Sequence, residues 1–425
     1  MSKKVRGIVS LLLAFAMVLS LAACGGNPVT ETEAAETEAA AVETEAAEEA
    51  APAEAEAAEA AEDVTAAAEE AAEPAGEGTP LKIGIITTSG VDDGNFNENC
   101  YDGIKAFIAD HPDCTVTDVK ESDLSKVIDT VGALVGDYDV LVLPGFNFAA
   151  IGDIAQANTD KYFIVVDATI TDSEGNALEG LPNVYTMTFL EQESGFLAGL
   201  AAALSTTSGK VAVVNGIAFP SNVNYQFGFM AGVNYANAKY GTTAECVEIA
   251  SFAGEAAVPV EGLGTAVGGN YTGDFADQAQ GKVVADALFA EGVDVLFPAC
   301  GTSGFGCFTS AKEKGGVYVI GCDVDQYDDG ANGDSNIVLT SVLKGMDINV
   351  TKQLNAIYDG TFEGRDDILD CTTDSTGFVS AEGRQQLSED AIAKMNEAYE
   401  KMKAGEIVPP SNFNGYLPDN FPGLE

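Results

Sequence analysis

The sequence predicts an α/β protein of two lobes, each built on a doubly wound parallel sheet. Three observations predict it. Short unbroken runs of Val, Ile and Leu recur from Leu81 onward and end in Gly, Asp or Asn. Segments with helical spacing lie between those runs. About seven such units, spread over more than 300 residues, exceed what one sheet of ordinary size holds.

The units follow in order. "LKIGIIT" (81–87) reads as a buried strand, followed by a Gly-rich turn and the helix-like "NENCYDGIKAFIAD" (97–110). "YDVLVLPG" (138–145) and "KYFIVVD" (161–167) are the next strand-like runs, and "EQESGFLAGLAAALS" (191–205) is helical. "GKVAVVNG" (209–216) precedes the helical "YQFGFMAGVNYANAKYG" (225–241). "QGKVVADALFAEG" (280–292), "VDVLFPAC" (293–300) and "VYVIGCD" (317–323) complete the alternation. Strands that do not alternate polar with apolar are covered on both faces, as parallel sheets are. Ligands of such sheets bind beyond the carboxyl ends of the strands, so the turns after each run are the candidate site.

The chain has 425 residues. Lys3, Lys4 and Arg6 precede an apolar stretch from Ile8 to Leu21, and Leu21-Ala22-Ala23-Cys24 follows. A basic start, a short apolar core and small residues at the cleavage point make a secretory signal. The Cys placed there resembles the lipobox of bacterial lipoproteins. That resemblance implies cleavage before Cys24, lipidation of Cys24, and a mature protein anchored on the outer face of the cell membrane. Residues 25–79 are mostly Ala, Glu, Thr and Pro, with no aromatic residue. They bury too little to offset ordering entropy and are expected to be a disordered acidic tether. The ligand-binding region is then 80–425.

Net charge is −47, and residues 25–80 hold 17 carboxylates and no Lys or Arg. Phosphate binding needs clustered cations, so nucleic acid is not an expected partner. Beyond Cys24 there are seven scattered cysteines, an odd number without metal-ligand spacing, which reads as buried free thiols. His111 is the only histidine, and Pro112 after it reads as a surface turn. No metal or cofactor is expected.

The first turn, "TTSGVDDGNFNENCYDG" (87–103), crowds Asp92, Asp93, Asn95 and Asn97 around Phe96 where a strand hands over to a helix. Spacing alone leaves two readings open: helix capping with Phe96 as an apolar staple, or a ligand site. "GVDDGNFNENCYDGIKAF" resembles the opening signature of the basic membrane protein family. "FLEQESGFLAGLAAAL", "FGFMAGVNYA", "GDFADQAQGKVVADALFAEGVDVLFPACGTSGFGCF", "VIGCDVDQYDDG" and "VLTSVLKGMD" are similar to its later segments, in the same order. That family contains purine nucleoside receptors of bacterial ABC transporters.

The resemblance implies a type I periplasmic-binding-protein-like fold, two hinged lobes closing on a nucleoside and delivering it to a membrane permease. By resemblance Phe96 and Phe275 sandwich the base, and Asp323 and Lys344 meet the ribose hydroxyls. Asp167 matches a strand-end Asp, Gly301 a close backbone approach, and Asp92, Asp93 and Asn97 the first ligand-facing turn. The lobes are expected at roughly 81–188 with 320–344, and 189–319 with 345–425. Departures concern the base: Thr87-Thr88 stands where many members have Thr-Asp, Gly301-Thr302 where they have Gly-Gly, and Phe146 adds bulk at a strand end.

Two other functions compete. A binding protein or sensor for another small molecule, such as a sugar, fits the same scaffold. A nucleoside hydrolase would use the clustered Asp residues. No histidine is available there as a base near neutrality, and no nucleophile elbow is present, so no catalytic residue is expected.

Overall fold

The computed structural model describes residues 78–425. Cys24 and the acidic run up to residue 77 lie outside the described residues. The first elements are β1 (Lys82–Thr87), α1 (Phe96–Asp110), β2 (Thr115–Lys120), α2 (Val127–Leu134), β3 (Val140–Pro144), α3 (Gly152–Ala157), β4 (Tyr162–Val166) and β5 (Val184–Phe189). Then come α4 (Glu191–Ser205), β6 (Lys210–Asn215), α5 (Pro220–Tyr240), β7 (Glu245–Cys246), β8 (Gly254–Val260), β9 (Gly264–Gly268), α6 (Gln278–Ala290), β10 (Val295–Ala299), α7 (Gly304–Lys314) and β11 (Tyr318–Gly321). The chain ends with β12 (Ala331–Asn332), β13 (Ser335–Asn336), β14 (Val338–Lys344), α8 (Met346–Tyr358), β15 (Arg365–Leu369), β16 (Thr376–Phe378) and α9 (Glu389–Lys403).

Two six-stranded sheets organise these elements, ordered β15-β5-β4-β3-β1-β2 and β16-β14-β11-β10-β6-β7. All pairs in the first are parallel. In the second only β14–β16 is antiparallel. Both lobes thus share one winding, with the order reversing beside β1 in the first and β6 in the second. The crevice beyond the carboxyl ends at those reversals is where a doubly wound sheet binds its ligand.

Burial on both faces explains the unbroken apolar runs. Ile83, Ile85 and Ile86 of β1 are buried, as are all five residues of β3. One face of the first sheet packs against α1 and α8 through Phe107, Ile104, Val350 and Leu354. The other packs against Val127, Val131 and Phe148. In the second lobe, α4 is buried from Glu191 to Ala203, so its apolar residues encircle it. It lies backbone to backbone on α5, because both carry glycine at the crossing. A Cβ on Gly199 would stand 1.9 Å from the Phe229 carbonyl oxygen, and one on Gly232 2.1 Å from that of Phe196.

The expected lobe boundaries need correction. Segment 320–344 belongs to the second sheet, since β11 pairs with β10 and β14 with β11. The chain then returns to the first lobe: α8 packs on α1, where Gly103 lies against the Asp347 backbone, and β15 pairs with β5. It crosses a third time after Leu369. The first lobe is therefore 81–189 with 346–369, and the second 190–344 with 370–425. Apolar runs say that a strand is buried, not which sheet buries it.

Gly78 donates its backbone N–H to the Tyr358 carbonyl at 2.7 Å, tying down the start of the described chain. The seven cysteines among the described residues are unpaired, and all but Cys246 are buried. His111 differs from the free turn residue expected. Its ring lies 4.6 Å from that of Phe107 and 4.0 Å from that of Tyr358, and Nε2 meets Asn355 Oδ1 at 3.0 Å, so it joins α1 to α8.

Candidate functional site

A cleft of about 660 Å³, open solvent included, lies between the carboxyl ends of the two sheets. Its lining follows the winding rule. Thr88 and Ser89 follow β1, Pro144 ends β3 and Gly145 to Asn147 follow it, and Asp167 follows β4. From the other lobe come Phe219, Asn222 and Tyr225 beside β6, Ala299 and Gly301 beside β10, and Cys322 and Asp323 after β11.

Phe96 and Phe275 both line this cleft, one from each lobe. Phe96 opens α1, where the Asn95 side chain accepts its N–H at 2.6 Å. Its ring also packs on the first lobe's core, so the staple and the cleft wall are one residue. Phe275 lies in the loop before α6. Its carbonyl accepts the Ser303 N–H at 3.1 Å, and its ring rests on bare Gly216, where a Cβ would approach within 2.2 Å.

Asp93 caps α1 and lines the cleft at once. Its carboxylate accepts the backbone N–H groups of Asn97 at 3.0 Å and Glu98 at 2.9 Å, and the Asn97 amide at 2.9 Å. Asn97 also donates to Ser89 Oγ at 2.7 Å. Burial pushes the Asp93 carboxyl above its usual range, although those N–H groups pull it back. Asp92, expected beside it, is exposed and lies outside the lining. The turn that draws Asp93 inward to cap the helix sends its neighbour to solvent.

Lys344, at the end of β14, supplies the cleft's cation. Its Nζ is 2.5 Å from Asp167 Oδ2 and 3.0 Å from Glu191 Oε1, with all three side chains at most 6% exposed. It also stands 5.1 Å from the ring centres of Phe96 and Phe189. Burial opposes the lysine's charge, but Asp167, Glu191 and Asp323 outweigh it and raise its pKa. Asp167 is raised too: burial dominates, Lys344 opposes, and the carboxylates of Glu191 and Asp323 add to the rise. Asp167 Oδ1 has no hydrogen-bond partner although it is buried. Asp323 Oδ1 accepts the Tyr225 hydroxyl at 2.6 Å.

Asp167 and Asp323 end equivalent strands of the two lobes, and both adopt left-handed backbone, with φ of 59° and 68°. Such conformations cost about 1–3 kcal/mol each and persist where the surroundings enforce them. Gly301, with φ of 57°, has no room for a side chain, since a Cβ would lie 2.9 Å from the Phe275 carbonyl.

The cleft therefore gathers Asp93, Phe96, Asn97, Asp167, Phe275, Gly301, Asp323 and Lys344, and leaves out Asp92. Sequence reasoning missed Glu191, Tyr225 and Phe219. Glu191 is held by the Asn224 amide at 2.9 Å, one helix away. Its only sequence signal was a place in the polar first turn, Glu191 to Ser194, of a helix that is apolar from Phe196 onward.

Residues 81–251 and 265–412 match the family described as ABC transporter substrate-binding protein PnrA-like. The chain belongs to this family. Its match is interrupted over 252–264. The CD4+ T-cell-stimulating antigen of Listeria monocytogenes is 29% identical over 345 residues, covering 77% of this chain and 87% of that protein. Basic membrane protein A of Borreliella burgdorferi is 28% identical over 341 residues, covering 79% and 89%. The ABC transporter nucleoside-binding protein BmpA of Lactococcus lactis is 28% identical over 304 residues, covering 67% and 77%. A solute-binding protein of an ABC transporter from Aeropyrum pernix K1 has the same fold, with a TM-score of 0.65, 23% identity, and coverage of 78% of this chain and 94% of that one. The two-lobed periplasmic-binding-protein-like fold expected for this PnrA-like chain is thus the one observed.

Proposed function

We propose that this substrate-binding protein takes a nucleoside, a purine nucleoside first, between its lobes and hands it to a membrane permease without chemical change. One observation carries the reading: Phe96 and Phe275 come from opposite lobes and line one cleft. A flat heterocycle offers a π face to each ring, and base–aromatic stacking contributes roughly 1–3 kcal/mol per base. The sugar hydroxyls suit the polar wall beside Phe96, where Asp167 Oδ1 lacks a partner and Asp323 and Lys344 stand close by. A phosphate does not suit it. Asp167, Asp323 and Glu191 stand around a single lysine and Asp93 lines the same cleft, so added negative charge would meet repulsion. One relative carries "nucleoside-binding" in its name, which supports the same class. Hinge closure on the ligand would present the closed form to the permease. Lipid on Cys24 would hold the protein at the outer face of the cell membrane.

Calorimetric titration with adenosine, inosine, cytidine, ribose and glucose tests the proposal. Binding of a nucleoside with no heat from the free sugars is expected. Binding of a sugar but of no nucleoside would replace this reading with a sugar receptor. Release of free base during the titration, read by chromatography, would make the protein a hydrolase.

A further inference from the structure

Two aromatic residues of the cleft have no part in the proposed contacts, yet they meet across the lobes. Phe146 follows β3 in the first lobe. Phe219 precedes α5 in the second. Their ring centres are 5.2 Å apart, and Phe219 stacks in turn on Phe275 at 5.9 Å. A second cross-lobe contact lies at Gly94, against which the Phe305 ring of the second lobe sits so closely that a Cβ would come within 2.3 Å.

Phe219 is held from behind by the β8–β9 hairpin. Ala257 of β8 donates its N–H to the Ala218 carbonyl at 2.9 Å. Ala218 packs with Val223, Phe227, Ala256, Val260, Val267 and Tyr271 in a small core of their own. The Tyr271 hydroxyl donates to Gln226 Oε1 at 2.6 Å, fixing the base of the hairpin to α5. All of β8 lies in the interval 252–264 that the family match skips.

We propose that Phe146 and Phe219 form an aromatic clasp that holds the lobes together beside the ligand, and that the hairpin sets Phe219 for it. The contact is apolar and non-directional, so its strength does not depend on the hydrogen bonds a ligand offers. It biases the hinge toward the closed form for every ligand alike. Phe219 is in this sense a positioning residue.

Hydrogen exchange by mass spectrometry on the full chain, with no ligand added, is the test. Phe146→Ala and Phe219→Ala are each expected to raise exchange beside the replaced ring and also at 92–97 and 304–306, around the Gly94–Phe305 contact. Phe219→Tyr keeps a ring and should retain wild-type protection. Exchange that rises only beside the replaced ring would make it ordinary local packing and overturn the clasp. Phe146 stands on a different lobe from the hairpin, so its variant reads the clasp even if Phe219→Ala disturbs the hairpin's fold.

A second arm rests on the nucleoside reading. Calorimetry with adenosine and inosine should show both weakened by the same factor, about twofold to tenfold, the range an aromatic pair contributes. The double variant should lose no more than the weaker-binding single variant, because both remove one contact. A change in the rank order of the two ligands would make the rings ligand contacts and defeat the proposal. The exchange arm uses no nucleoside, so it decides the clasp even if neither nucleoside binds.

Discussion

Replacing Lys344 with Met removes the cleft's cation while keeping most of its volume. Lys344, Asp167 and Glu191 are 2%, 6% and 3% exposed, so the variant leaves two carboxylates stranded in a nearly dry site. Breaking a buried pair from one side costs about 3–5 kcal/mol. A stranded carboxyl has one escape, which is to bind a proton. That escape costs about 1.4 kcal/mol for each pH unit above an unfolded-state pKa near 4. The penalty for one carboxyl is therefore capped near 5 kcal/mol at about pH 8, and near 2 kcal/mol at about pH 5.5.

The sign is the same, and weaker, in the natural protein. Asp93, Asp167 and Glu193 all have raised pKa values, with burial as the first cause. Over the window between the ordinary carboxylate range and those raised values, the folded state binds more protons than the unfolded one. The contribution of these three groups is thus fullest below the ordinary carboxylate range and is lost as pH rises through that window. Urea unfolding followed by far-ultraviolet circular dichroism at about pH 8 and pH 5.5 measures both effects. Lys344→Met should lose about 3–5 kcal/mol at the higher pH and less at the lower, where each stranded carboxyl costs at most about 2 kcal/mol. Adding Glu191→Gln should recover part of the loss, because one of the stranded charges is gone. A deficit equal at the two pH values, or no deficit, would refute the burial argument.

The other expectations concern single residues. Phe96→Ala and Phe275→Ala should each weaken nucleoside binding by about 1–3 kcal/mol in calorimetry with the fold retained, Phe96→Ala at a lowered melting temperature because its ring also packs on the first lobe's core; a folded variant that binds nucleoside as wild type does would remove that ring from the site. Gly199→Ala places a methyl group against the Phe229 carbonyl, whose oxygen lies 1.9 Å from the built Cβ, and should cost at least about 1–3 kcal/mol in thermal unfolding because backbone cannot step aside. Cys24→Ser should move the protein from the membrane fraction to the soluble fraction on cell lysis, and a protein still sedimenting with membranes would exclude lipid on Cys24.

Much of the fold was readable because burial writes itself into strands such as β3 and β4, which are apolar at nearly every position. Edge strands carry no such mark: β2 reads "TVTDVK" and is largely exposed, and β15 begins with Arg365 and two aspartates. Lobe membership was illegible for a different reason. β11 and β15 are chosen by their sheets through backbone pairing, which side-chain patterns do not encode. In the site, Phe96, Asp167 and Lys344 were legible through the resemblance to the basic membrane protein family, in whose motifs they stand. Glu191, Tyr225 and Phe219 did not, since their roles come from residues such as Lys344, Asp323 and Phe146 that are distant in sequence. Asp92 and Asp93 look alike in the sequence, and only the direction of the turn tells them apart.

A crystal structure of the protein grown with adenosine tests the central claim most directly. The base should lie flat between the rings of Phe96 and Phe275, with ribose hydroxyls within hydrogen-bond distance of Asp323 and Lys344. Adenosine seated elsewhere, or a cleft in which the two rings pack on each other and exclude it, would contradict the account.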